Sequence, residues 1–292
     1  KQLASDVDLL ILSDEGYSPY DRIHLCGLVD KSATIEEISL AVDPTVQIAL
    51  NEKILSIDKN AKRVFSEHSV FSYDKLIIAT GSTPQTLFDI STLKNAAVFR
   101  NANDCIKIAD GIGDREVVIV GSGPIGLELM ETLDKMQSVE HITLLVRGDS
   151  LYDKTLSPQS KKVMESSYLK SGKIDISYED EIIDKVIENN EIKLLKTKTR
   201  EILNPILIFG VGIKPNIDIS RDSLSCDKGI LTNNKMQTED PDIYAVGEAA
   251  QVRDINFIAG HVKECTLQAD AAIATILGLE EKTFELEVMI DM

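Results

Sequence analysis

The chain lacks closely spaced cysteines. Cys26, Cys105, Cys226 and Cys265 stand far apart, and neither C-x-x-C nor C-x-x-x-x-C occurs. That spacing excludes a zinc knuckle and a local redox disulfide. It fits a reducing, cytoplasmic compartment. His24, His68 and His141 form no ligand pattern, so no metal site is expected. Long apolar runs are missing too: none reaches the ~18 residues that suggest a membrane span. The start, Lys1-Gln2-Leu3-Ala4-Ser5-Asp6, reads as the tail of a helix and not as a signal peptide. Positive charge is scarce, with 31 Lys and Arg against 48 Asp and Glu and a formal net charge of −17. Such a surface repels nucleic acid and anionic membranes, so neither is expected as a partner. No solenoid repeat or low-complexity segment interrupts the chain.

What is present is a chain of 292 residues, 43% of them hydrophobic. That length suits two domains, or one domain inserted into another. One stretch organises it: Val117-Val118-Ile119-Val120-Gly121-Ser122-Gly123-Pro124-Ile125-Gly126-Leu127-Glu128. Four β-branched residues run into G-x-G-x-x-G, a helical segment follows from Pro124 to about Gln137, and Ile142 to Val146 is a second apolar run. Strand, tight turn, helix and strand in that order form a dinucleotide cradle. Gly121 permits the turn, Gly123 lets backbone approach a pyrophosphate, and Gly126 lets the helix pack close to the strand. The helix start at Pro124 and Ile125 offers amides and a positive dipole end to phosphate.

Around this unit the pattern predicts short elements. Val7 to Leu12 reads as a strand ending in Ser13-Asp14-Glu15, where an acid would accept from a ribose. In such a fold a first strand and glycine loop stand before that strand, and none precedes Lys1. The expectation is that those residues lie upstream in a parent protein, or that the chain as given binds a dinucleotide poorly there. Tyr17 to Cys26 reads as an irregular loop. Ile38 to Asn60 and Lys62 to Phe71 read as strands with turns, and Leu76-Ile77-Ile78 as a buried strand ending in Ala79-Thr80-Gly81. A helix is expected near Asn103–Ile112. Another begins at Ser157-Pro158, with an N-cap and a proline at its first position, and ends near Gly172. Ile174–Tyr178 reads as a strand, Ile182–Glu188 and Ile192–Thr199 as a hairpin around Asn189-Asn190, and Pro205–Gly210 as a buried strand. Ile230–Asn233 and Thr238–Val246 follow. An Ala-rich helix from about His261 to Leu277 is stopped by Gly278, and a strand is expected over Thr283–Ile290.

Four motifs in order resemble the FAD-dependent pyridine nucleotide oxidoreductases: Ile78-Ala79-Thr80-Gly81, Gly121–Gly126, Gly212-Ile213-Lys214-Pro215-Asn216, and Thr238 through Gly247-Glu248. The last usually ends Gly-Asp. Gly-Glu, together with Tyr20-Asp21-Arg22-Ile23-His24-Leu25 and the tail Thr283–Asp291, looks like the flavin module of NAD(P)H-nitrite reductase large subunits. The fold this implies is α/β, with two Rossmann-like FAD/NAD(P)-binding domains, the second inserted in the first and the first strand of the FAD domain missing. The implied boundaries are 1–97 and 213–279 for FAD, 98–212 for NAD(P), and 280–292 for the start of a C-terminal interface domain.

The resemblance also implies roles. FAD lies along the discontinuous domain, with Gly247 and Glu248 on its ribityl or pyrophosphate side and Thr80-Gly81 near the flavin. Arg22 and Arg100 match positions toward FAD, Asp14 or Glu15 the ribose acid, and Ile54 a residue whose backbone meets adenine. NAD(P)H lies on Gly121, Gly123, Pro124, Ile125 and Gly126, bordered by Gly212. Hydride then passes to flavin, and electrons go on to an iron–sulfur or haem domain or protein. The branch also allows a homodimer.

Single residues sharpen or rival this reading. Arg147 follows the second strand about 20 residues after the glycine turn, where the 2′-position is read. Val146 takes the usual acid position, so NADPH is favoured over NADH. Glu128 either lies near nicotinamide as a catalytic carboxylate or merely complements the helix dipole. The helix from His261 aims its positive end at the flavin pyrimidine or simply packs in a core. Cys26-Gly27 resembles the redox pair of NADH oxidases and peroxidases, so a peroxide- or disulfide-reducing enzyme using Cys26 is one rival; a small buried residue is the other reading of Cys26. A flavin-free nucleotide-binding module is a further rival.

Overall fold

The computed structural model describes residues 7–152, 156–279 and 283–285. Backbone contacts divide it into two compact units. The first takes in the described residues of Lys1–Ser18, Val42–Thr83 and Lys214–Met292; the second is Pro19–Ala41 with Pro84–Ile213. In chain order the second is thus inserted in the first. Residues 19–41 and 84–97 cluster with the second unit, unlike the division at 97 and 213 expected from sequence.

For residues 84–97 the reason is the edge strand Ala96–Val98 of the second unit's sheet, and for 19–41 it is a short helix that no periodicity announces. The segment read as a loop, 17–26, makes a 3₁₀ turn at Arg22–His24, started by the Asp21 carboxylate accepting from the Ile23 amide. It continues into α1 (Cys26–Val29). One turn is too short to print a helical pattern. Leu25, Leu28 and Val29 are nevertheless buried, and α1 packs on α2 (Ala102–Gly111) and α3 (Pro124–Lys135).

The second unit is a five-stranded parallel sheet in the order Ile174–Tyr178, Ile142–Val146, Val117–Val120, Ile206–Phe209, Ala96–Val98. Helix α3 crosses from Val117–Val120 to Ile142–Val146, and α4 (Pro158–Tyr168) precedes Ile174–Tyr178. All four residues of Val117–Val120 and all five of Ile142–Val146 are buried, as near-continuous apolar strands of a covered parallel sheet should be. Alternate residues select faces. Val118, Val120, Leu145, Leu207 and Phe209 form one core with Ile192, Leu195 and Ile202. The latter three come from an antiparallel meander of Ile182–Glu188, Glu191–Thr197 and Glu201–Leu203. Its hairpin turns on Asn189 and Asn190, both at positive φ (53° and 62°), as the Asn-Asn pair predicts.

Asp180 lies between these two sheets in the chain. Its carboxylate accepts from the hydroxyls of Ser177, Thr197 and Thr199 at 2.8, 2.9 and 2.6 Å. Burial opposes its ionisation, but those three donors and the Glu181 amide outweigh burial and hold it below the usual carboxylate range.

The first unit is built from smaller sheets. Leu10–Leu12 pairs in parallel with Gln47–Ala49, and Leu76–Ile78 with Ile243–Ala245. The strand expected over 7–12 is therefore shorter. Leu76–Ile78 is not buried throughout, since Ile77 is 39% exposed. Ile54–Asp58, Arg63–Ser66 and Val70–Ser72 form an antiparallel sheet. Helix α5 (Val262–Ile276) starts at His261 as its N-cap and is followed by Gly278 at φ +61°, as the sequence predicts. Ala271 and Ala272 enter a core with Ile78, Ile243, Tyr244, Ala245 and Phe284. Of the strand expected over 283–290, only 283–285 is described, and the rest, with residues 280–282, lies outside the described residues.

Candidate cofactor-binding sites

In the second unit the G-x-G-x-x-G turn lies at the carboxyl end of Val117–Val120. That strand is flanked by the next strand in sequence, Ile142–Val146, on one side and by the late strand Ile206–Phe209 on the other. The order of connection reverses there, and open α/β sheets bind ligands at such a switch point. The three glycines differ in what a side chain would meet. Gly121 sits at φ +107°, and a Cβ there would come within 2.4 Å of the Gly210 carbonyl oxygen. At Gly126 a Cβ would stand 2.2 Å from the Gly121 carbonyl oxygen, so this glycine sets the distance between α3 and its strand. Around Gly123 nothing lies within 4 Å of a Cβ position.

Gly123 is also the N-cap of α3, with Pro124 in its first turn and no side-chain cap. The backbone bond from the Leu127 amide to the Gly123 carbonyl closes the first turn. The amides of Ile125 and Gly126 precede it, at the helix end where N–H groups have no intrahelical acceptor. A turn stripped of side chains in front of helix amides has the shape and charge that a pyrophosphate requires.

Arg147 is exposed and follows the buried Val146 at the end of the second strand. Gly212, at φ +108°, has open space around it. Two residues expected to be catalytic meet directly: the Cys26 thiol donates to Glu128 Oε1 at 3.6 Å. Burial pushes the Cys26 thiol up to about 11, with Thr132 opposing and the Glu128 charge adding to the rise. Such a thiol is protonated near neutral pH and is a poor nucleophile. Arg22 and Arg100 lie in this unit, with Glu128, rather than in the first unit with Glu248. The Arg22 guanidinium donates to the Arg100 carbonyl at 2.8 Å and lies 5.0 Å from the centre of the Tyr20 ring. Tyr20 in turn accepts from the Ala102 amide at 3.1 Å, at the start of α2.

The first unit gathers the remaining candidates at strand ends. Thr80 Oγ1 donates to the Asn216 carbonyl at 2.7 Å, and Asn216 Nδ2 donates to the Thr80 carbonyl at 2.9 Å. The Asn216 amide donates to the Gly81 carbonyl at 2.9 Å, and Thr83 Oγ1 donates to Asn216 Oδ1 at 2.7 Å. Gly81 itself is at φ +62°. The buried Ser82 donates to Glu248 Oε2 at 2.9 Å. The Gly247 amide donates to Gln268 Oε1 at 2.7 Å. Asp14 is exposed and Glu15 half-buried at the end of Leu10–Leu12, where the Glu15 carbonyl accepts from the Asn51 amide at 3.0 Å. Ile54, half-buried, opens the antiparallel sheet. Ser82, Gln268 and Thr132 were not singled out from sequence. Of the three, Gln268 alone has a local signal, a polar residue on the face that Ala271 and Ala272 bury. Among the described residues no group of three or more His, Cys, Asp or Glu could hold a metal ion, and no helix is long and apolar enough to cross a membrane.

These two strand-end arrangements belong to a known class. Residues 1–273 match the family described as pyridine nucleotide-disulphide oxidoreductase, and the chain belongs to that family, whose members contain FAD and use NAD(P)H. Nitrite reductase [NAD(P)H] of Bacillus subtilis is 26% identical over 97% of the chain, which corresponds to 36% of that protein. The nitrite reductase (NADH) large subunit of Escherichia coli is 27% identical over 98% of the chain and 34% of that protein. The chain thus spans about a third of the length of these curated relatives. Among solved structures, the covalent putidaredoxin reductase–putidaredoxin complex superposes with a TM-score of 0.86 at 23% identity, covering 98% of this chain and 72% of that one.

Proposed function

We propose that the chain is the electron-input module of a nitrite-reductase-like enzyme, taking hydride from NADPH in preference to NADH and delivering electrons through FAD to an iron–sulfur or haem acceptor. The observation that carries the dinucleotide half is the contrast within one turn. Gly121 and Gly126 have no room for a side chain, whereas Gly123 faces open space before the amides of α3. The two nitrite reductases matched over nearly the whole chain support the branch.

In this reading the second unit holds NAD(P)H. The Ile125 and Gly126 amides donate to its pyrophosphate, Arg147 pairs with a 2′-phosphate, and Gly212 leaves room at the nicotinamide end. Glu128, one turn into α3, lies toward the nicotinamide with its carboxylate held by the Cys26 thiol. The first unit holds FAD: Asp14 or Glu15 accepts from the adenosine ribose, the Ile54 backbone meets adenine, and Glu248 accepts from ribityl hydroxyls. Asn216 fixes the Thr80-Gly81 bend so that backbone can approach the isoalloxazine. When bound, the flavin supplies a two-electron acceptor that can release electrons singly.

The rival use of Cys26 as a peroxide- or disulfide-reducing nucleophile is opposed by the elevated thiol pKa. The test is to load full-length protein with FAD and add NADPH or NADH anaerobically. Bleaching of the flavin absorbance, faster with NADPH, is expected. No bleaching with either nucleotide rejects the reading, and a colourless protein that still binds a dinucleotide leaves a flavin-free module in its place.

A further inference from the structure

The Gly247-Glu248 turn is held from two sides. From the strand side, the buried Ser82 hydroxyl donates to the Glu248 carboxylate. From the helix side, Gln268 Oε1 on α5 accepts from the Gly247 amide at 2.7 Å. Gly247 stands at φ +69°, the left-handed region, at the start of a single 3₁₀ turn, Gly247–Ala249. A turn that short holds itself with few bonds of its own, and its first amide has no acceptor within the turn. The acceptor comes instead from a residue 21 positions on.

Gln268 is fully buried, and its Nε2 has no partner among the described residues. An unsatisfied amide donor in the interior opposes folding. What this side chain contributes at its position therefore comes through Oε1 and the Gly247 amide. The Cys265 sulfur, one turn earlier on α5, sits 3.6 Å from where a Gly247 Cβ would be, so the helix also packs under the turn.

We infer that Gln268 is a positioning residue for the flavin-side turn: its amide oxygen fixes Gly247, and through it the direction of the Glu248 carboxylate. This rests on the reading of Glu248 as a flavin-binding group. Gln268 does not reach the cofactor itself, because its polar atoms are covered by protein. It sets the geometry into which FAD docks before FAD arrives.

Two variants separate this from a generic core role. Gln268→Leu removes the acceptor. Gln268→Glu keeps an acceptor oxygen of the same reach; a carboxyl buried this completely takes up a proton, so the variant exchanges the Nε2 donor, which makes no bond, for a neutral hydroxyl. FAD affinity of the full-length protein is measured by titration calorimetry, and exchange of the Gly247 amide is followed in the FAD-free protein by mass spectrometry. Loss of one hydrogen bond of this kind corresponds to about a tenfold change. Gln268→Leu is expected to weaken FAD binding and to speed Gly247 exchange by about that factor, and Gln268→Glu to restore both to within about threefold. Gln268→Met serves in place of Leu if the branched side chain prevents folding. Wild-type exchange and affinity in the Leu or Met variant overturn the inference, as does a Glu variant as impaired as Leu. If the wild-type protein binds no FAD, the flavin reading of this unit falls, and the exchange measurement alone decides whether Gln268 holds the turn.

Discussion

Ser82 Oγ donates to Glu248 Oε2 at 2.9 Å, tying together two strand-end turns that stand 166 residues apart in the chain. The strands before them, Leu76–Ile78 and Ile243–Ala245, are neighbours in one parallel ladder, which is why their carboxyl ends meet. A hydrogen bond to a carboxylate contributes about 1.5–3 kcal/mol when its partner is buried. Ser82 is 5% exposed, so water cannot replace it. Ser82→Ala is expected to lower the melting temperature by about 3–12 °C, because each kcal/mol moves a domain of this size by roughly 2–4 °C. It should also weaken FAD binding several-fold in the full-length protein. Scanning calorimetry and flavin titration together check this, and an unchanged flavin affinity would detach Glu248 from the cofactor.

The glycine turn makes a prediction by contrast. Gly126→Ala would drive a Cβ to 2.2 Å from the Gly121 carbonyl oxygen, a backbone atom that cannot step aside without moving α3. Overpacking of this kind costs about 1–3 kcal/mol or more. Gly123→Ala meets nothing within 4 Å, and its φ of −78° is open to any residue. The first variant should melt earlier and lose dinucleotide binding. The second should melt with wild-type protein yet bind NAD(P)H at least about tenfold more weakly, since the new methyl would stand where the pyrophosphate approaches. Thermal melts beside nucleotide titrations distinguish the two, and equal affinities for Gly123→Ala and wild type would place the phosphates elsewhere.

Cys26 predicts a pH dependence. Its thiol is raised from an ordinary 9.0 to about 11, chiefly by burial, and Cys105 is raised to about 12 for the same first cause. Each group binds its proton more tightly folded than unfolded. The stability this adds is fully present below about pH 9 and is lost as pH rises through 9 toward 11 and 12. Alkylation of Cys26, followed peptide by peptide with mass spectrometry, should be slow at pH 8 and still climbing at pH 10. Cys26→Ser, which keeps a donor for Glu128, should leave NAD(P)H-driven flavin reduction within about twofold, since a hydroxyl can make the same bond. A reaction profile that levels off near pH 8 would return Cys26 to the list of nucleophiles.

How far these sites were legible in the sequence depends on how local they are. The dinucleotide turn occupies ten contiguous residues, Val117 to Gly126, and its strand, turn and helix each carry their own signal. The Asn189-Asn190 hairpin and the Ser157-Pro158 helix start were readable for the same reason: each is decided by neighbours in the chain. The four-residue helix α1 was not, because one turn has no period. That single turn carries Cys26 to Glu128, 102 residues away, and moves residues 19–41 into the second unit. The pairings of Thr80 with Asn216 and of Gly247 with Gln268 likewise depend on which strands and helices the topology brings together. Motif order pointed to Thr80, Gly81, Gly247 and Glu248; only the folded chain supplies the side chains that hold them.

Arg147 offers the most direct check on cofactor choice. It is exposed just after Ile142–Val146, at the strand end where dinucleotide folds read the 2′-position, and the preceding Val146 is buried and cannot accept from a ribose. An arginine there pairs with a 2′-phosphate by parallel hydrogen bonds, and the pair gains from charge. Replacing it by alanine removes attraction for NADPH and leaves NADH binding almost untouched. Arg147→Ala should therefore lower kcat/KM for NADPH by about tenfold or more, the loss of a charge-assisted bond, with NADH within about twofold. Placing an acid one residue earlier, Val146→Asp together with Arg147→Ala, should carry the preference over to NADH, because a carboxylate at that strand end accepts from the ribose hydroxyls and repels a phosphate. The effect should sit in KM more than in kcat, since the 2′-position is remote from the reacting end and contributes equally before and during transfer. If the ratio of NADPH to NADH turnover is the same in wild type and Arg147→Ala, the guanidinium is solvated and another residue reads the ribose.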